Sequence, residues 1–163
     1  MLVGIDPILT GRILKSLDEM GHGDSVVVAD AHFTAVKLAS RDLVDLPGLS
    51  APRVLAAIRT LLVPDGYEAF QLGLMATPDP GLNEVQTELV AAAKLTDPVI
   101  TTAATRQDPH REQVSLLERY DFYDRAAKAH LIIRTGEVRV YGNALFFKGV
   151  TPVGGVTPVP SGN

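Results

Sequence analysis

The chain has 163 residues, 46% of them apolar and 21% charged, a balance that suits one soluble domain with a complete core and excludes a chain that is mainly disordered. Fifteen basic residues stand against nineteen acidic ones, a net charge of -4 with no basic run, which argues against nucleic acid as a partner held through its phosphates. Cysteine is absent, so disulfides, thiol nucleophiles and thiolate metal sites are excluded, and a reducing cytoplasm is a compatible setting.

Asp6, Asp18 and Glu19 interrupt the apolar positions of the first twenty residues, and no signal peptide is expected there. No window approaches the roughly 18 apolar residues of a membrane helix, so a membrane partner is not expected either and the location predicted is cytoplasmic. Ile8, Leu9, Ile13, Leu14, Leu17 and Met20 recur at helical spacing, with Asp6 or Thr10 to cap the start and Gly21 where the helix stops. The stretch from Gly21 to Phe33, GHGDSVVVADAHF, follows. Val26 to Ala29 is a short β-branched run between polar clusters, the pattern of a strand buried on both faces. His22 precedes it between two glycines, Asp30 closes it, and His32 comes next. In open α/β sheets ligands bind outside the carboxyl ends of parallel strands, which makes Asp30 a candidate contact. Two plainer readings stand beside this one: Asp30 as an Asx-turn former and Gly21 as a left-handed helix cap.

Residues 34 to 49 lose periodicity, with Asp42 to Leu46 as a short edge strand before Pro47 and Gly48 turn the chain. From Ser50, with Pro52 in the first turn, Val54, Leu55, Ile58, Leu61 and Leu62 predict a helix that stops before Pro64, Asp65 and Gly66. Tyr67 to Ala76 reads as a strand, and Asn83 caps a helix running to about Lys94. Over 95 to 112, Val99 and Ile100 suggest a strand while Thr101, Thr102, Thr105 and Asp108-Pro109 suggest a loop, and both readings stay open. Val114 to Leu117 predicts a strand, Arg119 to Ala129 a helix, and Leu131 to Arg134 a strand. Thr135-Gly136-Glu137 turns the chain into Val138 to Phe147, whose alternation breaks at Tyr141-Gly142-Asn143; glycine inside a strand pattern marks a bulge or a close approach of ligand to backbone. The tail from Thr151 is Pro/Gly-rich and buries no face of its own, so residues 1 to 150 form one domain and 151 to 163 an arm outside it. Helices alternating with short apolar strands predict an α/β layer with helices on both faces.

With Gly21-His22-Gly23-Asp24, Ala29-Asp30-Ala31-His32-Phe33, the pair Phe122-Tyr123, Arg134-Thr135-Gly136-Glu137, and Tyr141-Gly142-Asn143 running on to Lys148-Gly149-Val150, the sequence resembles the L-fucose mutarotase and D-ribose pyranase family. The likeness covers roughly residues 1 to 152 and lies in the agreement of several short motifs in order along the chain. ADAHF and YGN are similar to the fucose-type branch; the ribose-type branch usually has AGLP after the aspartate and YAN near the end. The resemblance implies a three-layer α/β/α fold with a mixed, mostly parallel sheet. It also implies His22 as acid/base and sugar contacts at Asp30, Arg119, Tyr141, Gly142 and Asn143. No cofactor and no metal are implied, and the assembly is a homo-oligomer, a decameric ring or smaller. Arg119 is carried over from its place just before Phe122-Tyr123, with Arg106 and Arg111 as the other candidates in a middle segment longer than the branch usually has.

The reaction implied is the interconversion of α and β anomers of a free monosaccharide, L-fucose first. A proton leaves the O1 hydroxyl, one reaches the ring oxygen, and the open aldehyde rotates and recloses. Histidine, with an ordinary pKa of about 6.5, has both forms available near neutrality and can serve either transfer. Paired sugar hydroxyls suit the Asp30 carboxylate, the forked donor of Arg119, the Tyr141 hydroxyl and the Asn143 amide, with Tyr123 or Phe33 covering the apolar ring face. A D-ribose pyranase and a non-catalytic sugar-binding accessory of uptake are the alternatives. His32 and His110 are expected at the surface and His130 in a structural place. An extended chain from His22 to Asp30 spans up to roughly 26 Å, too far for one small sugar. The site is therefore expected to be shared, with His22 and Asp30 meeting the ligand from different subunits.

Overall fold

Val26 and Val28 point to one side of their strand and Val27 and Ala29 to the other, and all four are fully buried, because helices cover both faces of the sheet to which they belong. The computed structural model describes residues 2–102 and 113–151; Thr105, Arg106, Asp108-Pro109, His110, Arg111 and the arm beyond Thr151 lie outside them. Among the described residues the chain runs α1 (Gly11–Glu19), β1 (Ser25–Ala29), α2 (Ala35–Leu38), β2 (Asp42–Leu46), α3 (Ala51–Ile58), β3 (Leu72–Met75) and α4 (Glu84–Ala93). It continues with β4 (Val99–Thr101), β5 (Gln113–Leu117), α5 (Arg119–Ala126), β6 (Leu131–Thr135) and β7 (Ala144–Phe147).

The strands form one sheet in the order β2-β6-β1-β7-β3-β5-β4. β1, β2 and β6 run parallel, as do β3, β4 and β5, and β7 lies antiparallel between β1 and β3. On one face α1, α3 and α4 place Ile13, Leu55, Ile58 and Leu89 against Val26, Val28, Leu74 and Phe146. On the other, α2 and α5 place Ala35, Phe122 and Ala126 against Val27, Ile132 and Leu145. Each fully buried Leu, Ile or Phe contributes on the order of 1.5–3 kcal/mol, so these two cores define the three layers. The fold is the three-layer α/β/α arrangement with a mixed, mostly parallel sheet.

Several boundaries differ from the sequence pattern, each for a local reason. The first helix begins at Gly11, not Ile8, because the Asp6 side chain accepts from the Ile8 amide and Asp6 O from the Leu9 amide, closing a turn first; Thr10 occupies the N-cap position without a side-chain bond. Gly23, not Gly21, holds the left-handed backbone, at φ 80°. The Tyr67 to Ala76 strand shrinks to Leu72–Met75, since Asp65 Oδ1 accepts from the amides of Tyr67 and Glu68 and folds that piece into a turn. Val99–Thr101 is a strand paired with β5, and the four-residue α2 has no periodicity to announce it. Asn83 caps α4 as expected, in a reciprocal pair with Gln86. The Arg119 to Ala129 helix ends at Ala126, and the predicted strand from Val138 is a loop until Ala144.

Candidate functional site

Asp30 follows the last residue of β1, at the end of the sheet where β3 and β5 also finish and β7 begins. Its side chain is 4% exposed and its acceptors are taken up from two directions. The His32 amide donates to Oδ1 at 3.0 Å, and the Asn143 side-chain amide donates to Oδ2 at 2.7 Å. Asn143 Oδ1 in turn accepts from the Asp30 amide at 2.9 Å. Asp30 is thus both an Asx-turn former and half of a reciprocal pair that ties β1 to the start of β7. Burial pushes its carboxyl above the ordinary aspartate value, opposed by the His32 amide and the Asn143 side chain.

A cleft of about 220 Å³ opens over this pair. Arg119, from the first residue of α5, and Tyr123, one turn later, line it together, with Arg119 Nε donating to the Tyr123 hydroxyl at 3.2 Å. Tyr141 lines the opposite side from a left-handed backbone, φ 63°. Phe33, Met75 and Val140 supply apolar wall. Gly142 packs behind it: a Cβ there would stand 2.8 Å from Glu137 Cγ and 3.1 Å from Arg139 O, so no larger residue fits without moving the loop. Asp30, Arg119, Tyr141 and Asn143 therefore come to one cleft, with Gly142 as the residue that lets the loop close on it. Phe33 and Tyr123, the two aromatic covers suggested by sequence, are there as well.

His22 is not in this cleft. It lies before β1, and the five residues of β1 put about 13 Å between it and Asp30. Its side chain is 59% exposed, its Nδ1 is 3.5 Å from Asp65 Oδ2, and its ring lies 5.5 Å from that of Tyr67. Asp65 is wholly buried, with Oδ1 occupied by the turn amides, while Oδ2 makes no hydrogen bond among the described residues and lies 3.5 Å from the imidazole. In the sequence Asp65 stands only among the residues before which a helix stops; nothing marks it as lying beside a histidine 43 positions away.

His32, expected as an ordinary surface residue, is exposed but borders the cleft, its Nε2 3.3 Å from Val138 O. His130 is buried beside Asp24, at 3.7 Å, and Arg41, at 3.5 Å, which fits the structural place expected for it. Among the described residues Glu19, Asp42 and His130 bring donor atoms within 4.8 Å of one another, but Lys15 pairs with Glu19 and Arg12 and Arg41 reach the other two. Counter-charge is already present there in the form of side chains.

Comparison with known proteins agrees with the fold. An L-fucose mutarotase of Haemophilus influenzae strain PittGG is 38% identical over 155 residues, covering 94% of this chain and 99% of the relative. The crystal structure of a fucose mutarotase from Streptococcus pneumoniae in complex with L-fucose superposes with a TM-score of 0.71 at 28% identity, over 93% of this chain and all of that one. RbsD of Bacillus subtilis, solved with D-ribose, shares the fold at a TM-score of 0.66 and 21% identity, over 90% of this chain and 97% of its own. No helix among the described residues is long and apolar enough to cross a membrane. The model of the RbsD / FucU transport protein family matches residues 3–151, and the chain belongs to that family.

Proposed function

We propose that this protein is a sugar mutarotase that interconverts the α and β anomers of free L-fucose by acid/base ring opening and closure. The observation that carries the reading is the cleft at the carboxyl end of β1, where a buried carboxylate, an amide, a guanidinium and two phenols converge on a volume of about 220 Å³. Each Asp30 oxygen spends one lone pair inside the protein and keeps another for a sugar hydroxyl. Arg119 presents a fork to neighbouring hydroxyls, and the apolar wall of Phe33, Met75 and Val140 suits the C6 methyl that fucose has and ribose lacks. That wall favours fucose over the ribose alternative.

The proton-transfer group in this reading is His22 of a second subunit. Exposed and backed by Asp65, it is free to project from its own chain into a neighbour's cleft. It takes the O1 proton, returns one to the ring oxygen, and reverses both after the aldehyde rotates, while Asp65 fixes the ring and stabilises the imidazolium; a positioned acid/base of this kind supplies roughly 10²–10⁴ in rate. The homo-oligomeric state and the cytoplasmic location expected from the sequence belong to the same proposal.

Saturation-transfer NMR on L-fucose, D-ribose and related sugars tests it. The intact protein is expected to accelerate anomer exchange of L-fucose most, and His22→Ala to abolish exchange while sugar binding persists. Exchange unaltered by the protein for every sugar refutes the enzyme reading, and exchange surviving in His22→Ala refutes the role of the imidazole. Faster pyranose to furanose exchange of ribose would make the protein a pyranase instead.

A further inference from the structure

The loop that carries Tyr141, Gly142 and Asn143 is fastened by Glu137, Arg139 and Glu88, none of which lines the cleft. Arg139 Nε and Nη2 donate to Glu137 Oε1 and Oε2 at 2.9 and 3.0 Å, and Nη1 and Nη2 donate to Glu88 Oε1 and Oε2 at 2.7 and 2.9 Å. One planar guanidinium is thus shared bidentately by a carboxylate of its own loop and one on α4, the arrangement for which Arg is fitted and Lys is not. Glu137 is 4% exposed, and its carbonyl accepts from the Ala31 amide at 2.8 Å, next to Asp30. α4 adds a second tie, Asn83 Nδ2 donating to Val140 O at 3.1 Å. The same helix holds the opposite wall, because Gln86 Nε2 donates to Met75 O at 2.7 Å. The first turns of α4 therefore brace both Met75 and the loop across the cleft from it.

This loop needs bracing. Tyr141 sits in left-handed backbone, at φ 63°, which is strained for a non-glycine residue and persists only where surroundings enforce it. Val138 and Val140 are 69% and 62% exposed, so packing contributes little to holding the segment between Glu137 and Tyr141.

We propose that Arg139 is a positioning residue whose double carboxylate clamp to Glu137 and Glu88 holds the loop in its sugar-binding form and so sets the affinity of the cleft. The inference rests on the mutarotase reading and adds to it a residue that contacts neither substrate nor the proton-transfer group. A loop that is competent only part of the time raises the apparent dissociation constant by the inverse of its competent fraction, while a cleft that has filled is already ordered.

The test uses Arg139→Met, Arg139→Lys and Glu88→Gln in the full chain, with L-fucose as the probe. In Arg139→Met the dissociation constant from saturation-transfer titration is expected to rise about tenfold with the exchange rate at saturating sugar unchanged. Glu88→Gln is expected to shift it in the same direction by less, Arg139→Lys to recover part of the loss, and amide hydrogen exchange at 138–143 to quicken in step with the affinity loss. A folded Arg139→Met that binds fucose as tightly as the parent overturns the clamp, as does a drop in thermal midpoint with affinity unmoved. If the parent itself accelerates no sugar, the mutarotase reading fails and the clamp falls with it; an active parent beside an unaffected Arg139→Met sinks the clamp alone.

Discussion

Asn143 is where the site and the stability of the fold meet, and its substitution has two separable consequences. Asn143→Ala deletes the bond from the Asp30 amide, worth about 1 kcal/mol as a neutral hydrogen bond, and the bond to the Asp30 carboxylate, worth about 1.5–3 kcal/mol as one to a charged group. Asp30 is too buried for water to replace both partners, so the sum, roughly 2.5–4 kcal/mol, is the expected loss. At about 2–4 °C per kcal/mol for a domain of this size, the thermal midpoint should fall by roughly 5–15 °C. Asn143→Asp keeps an oxygen for the Asp30 amide but sets a second carboxylate where an N–H stood, 2.7 Å from Asp30 Oδ2. Two carboxylates so close hold one proton between them, with a folded pKa raised above the unfolded value of about 3.9. A carboxyl raised in this way binds more protons folded than unfolded between those two values, so stability falls as pH climbs through the window and returns below it. Asp30 in the parent already lies on that side, so Asn143→Asp amplifies an existing slope. Urea midpoints at fixed protein concentration, measured from about pH 7 down to about pH 3.5, should show both variants regaining ground on the parent as pH falls, Asn143→Asp by more, because Asn143→Ala only removes a bond that favours the Asp30 carboxylate whereas Asn143→Asp sets a second carboxylate beside it. A loss under about 1 kcal/mol for Asn143→Ala, or parallel pH curves for Asn143→Asp and the parent, would refute the account of the pair.

Mixing His22→Ala chains with Asp30→Asn chains, each inactive alone, should restore about a quarter of the parent exchange rate once subunits have reshuffled, since random assembly gives that share of sites one intact His22 and one intact Asp30; no recovery after demonstrated reshuffling means that the site is not shared. Asp65→Asn leaves an oxygen for the amides of Tyr67 and Glu68 but puts an N–H beside the imidazole. Exchange at saturating fucose should drop at least about tenfold with binding unchanged, and an undiminished rate would remove Asp65 from the mechanism. The Arg139 hydrogen bonds hold Glu137 and Glu88 below the ordinary glutamate range, so their contribution is present above the unfolded value of about 4.3 and is lost as pH falls through the lower folded values. Urea midpoints of the parent and of Arg139→Met should therefore converge as pH is lowered below about 4.3, and a gap that stays constant with pH would show that the clamp is not ionic.

Most of the layer architecture was legible because apolar periodicity survives wherever an element is buried. The runs around Val26, Leu55, Leu89 and Ile132 all became core strands or helices. What escaped was set by side chains acting on backbone at a distance in sequence. Asp65 turning the chain at Tyr67, and Glu137 with Arg139 holding 138–143 as a loop, override local β character that residues such as Val138, Val140 and Tyr141 display. The cleft shows the same division. Asp30 could be placed from its position at a strand end, and Arg119, Tyr141, Gly142 and Asn143 from motif resemblance. Met75 and Val140 were invisible as wall residues, since an apolar residue looks alike whether it faces a core or a ligand. Asp65 was hidden because a Pro-Asp-Gly run where a helix stops needs no further explanation.

β7 enters the sheet between its two parallel halves, pairing Ser25 with Phe147 and Leu72 with Phe146. On a nascent chain this central strand emerges after β1 to β6, so until it does β1 and β3 present bare edges to one another with nothing to zip them together. Asn143 leads straight into that strand, and the pocket is therefore completed in the same closing step that seals the sheet, leaving a truncated product with neither a finished core nor a place for sugar.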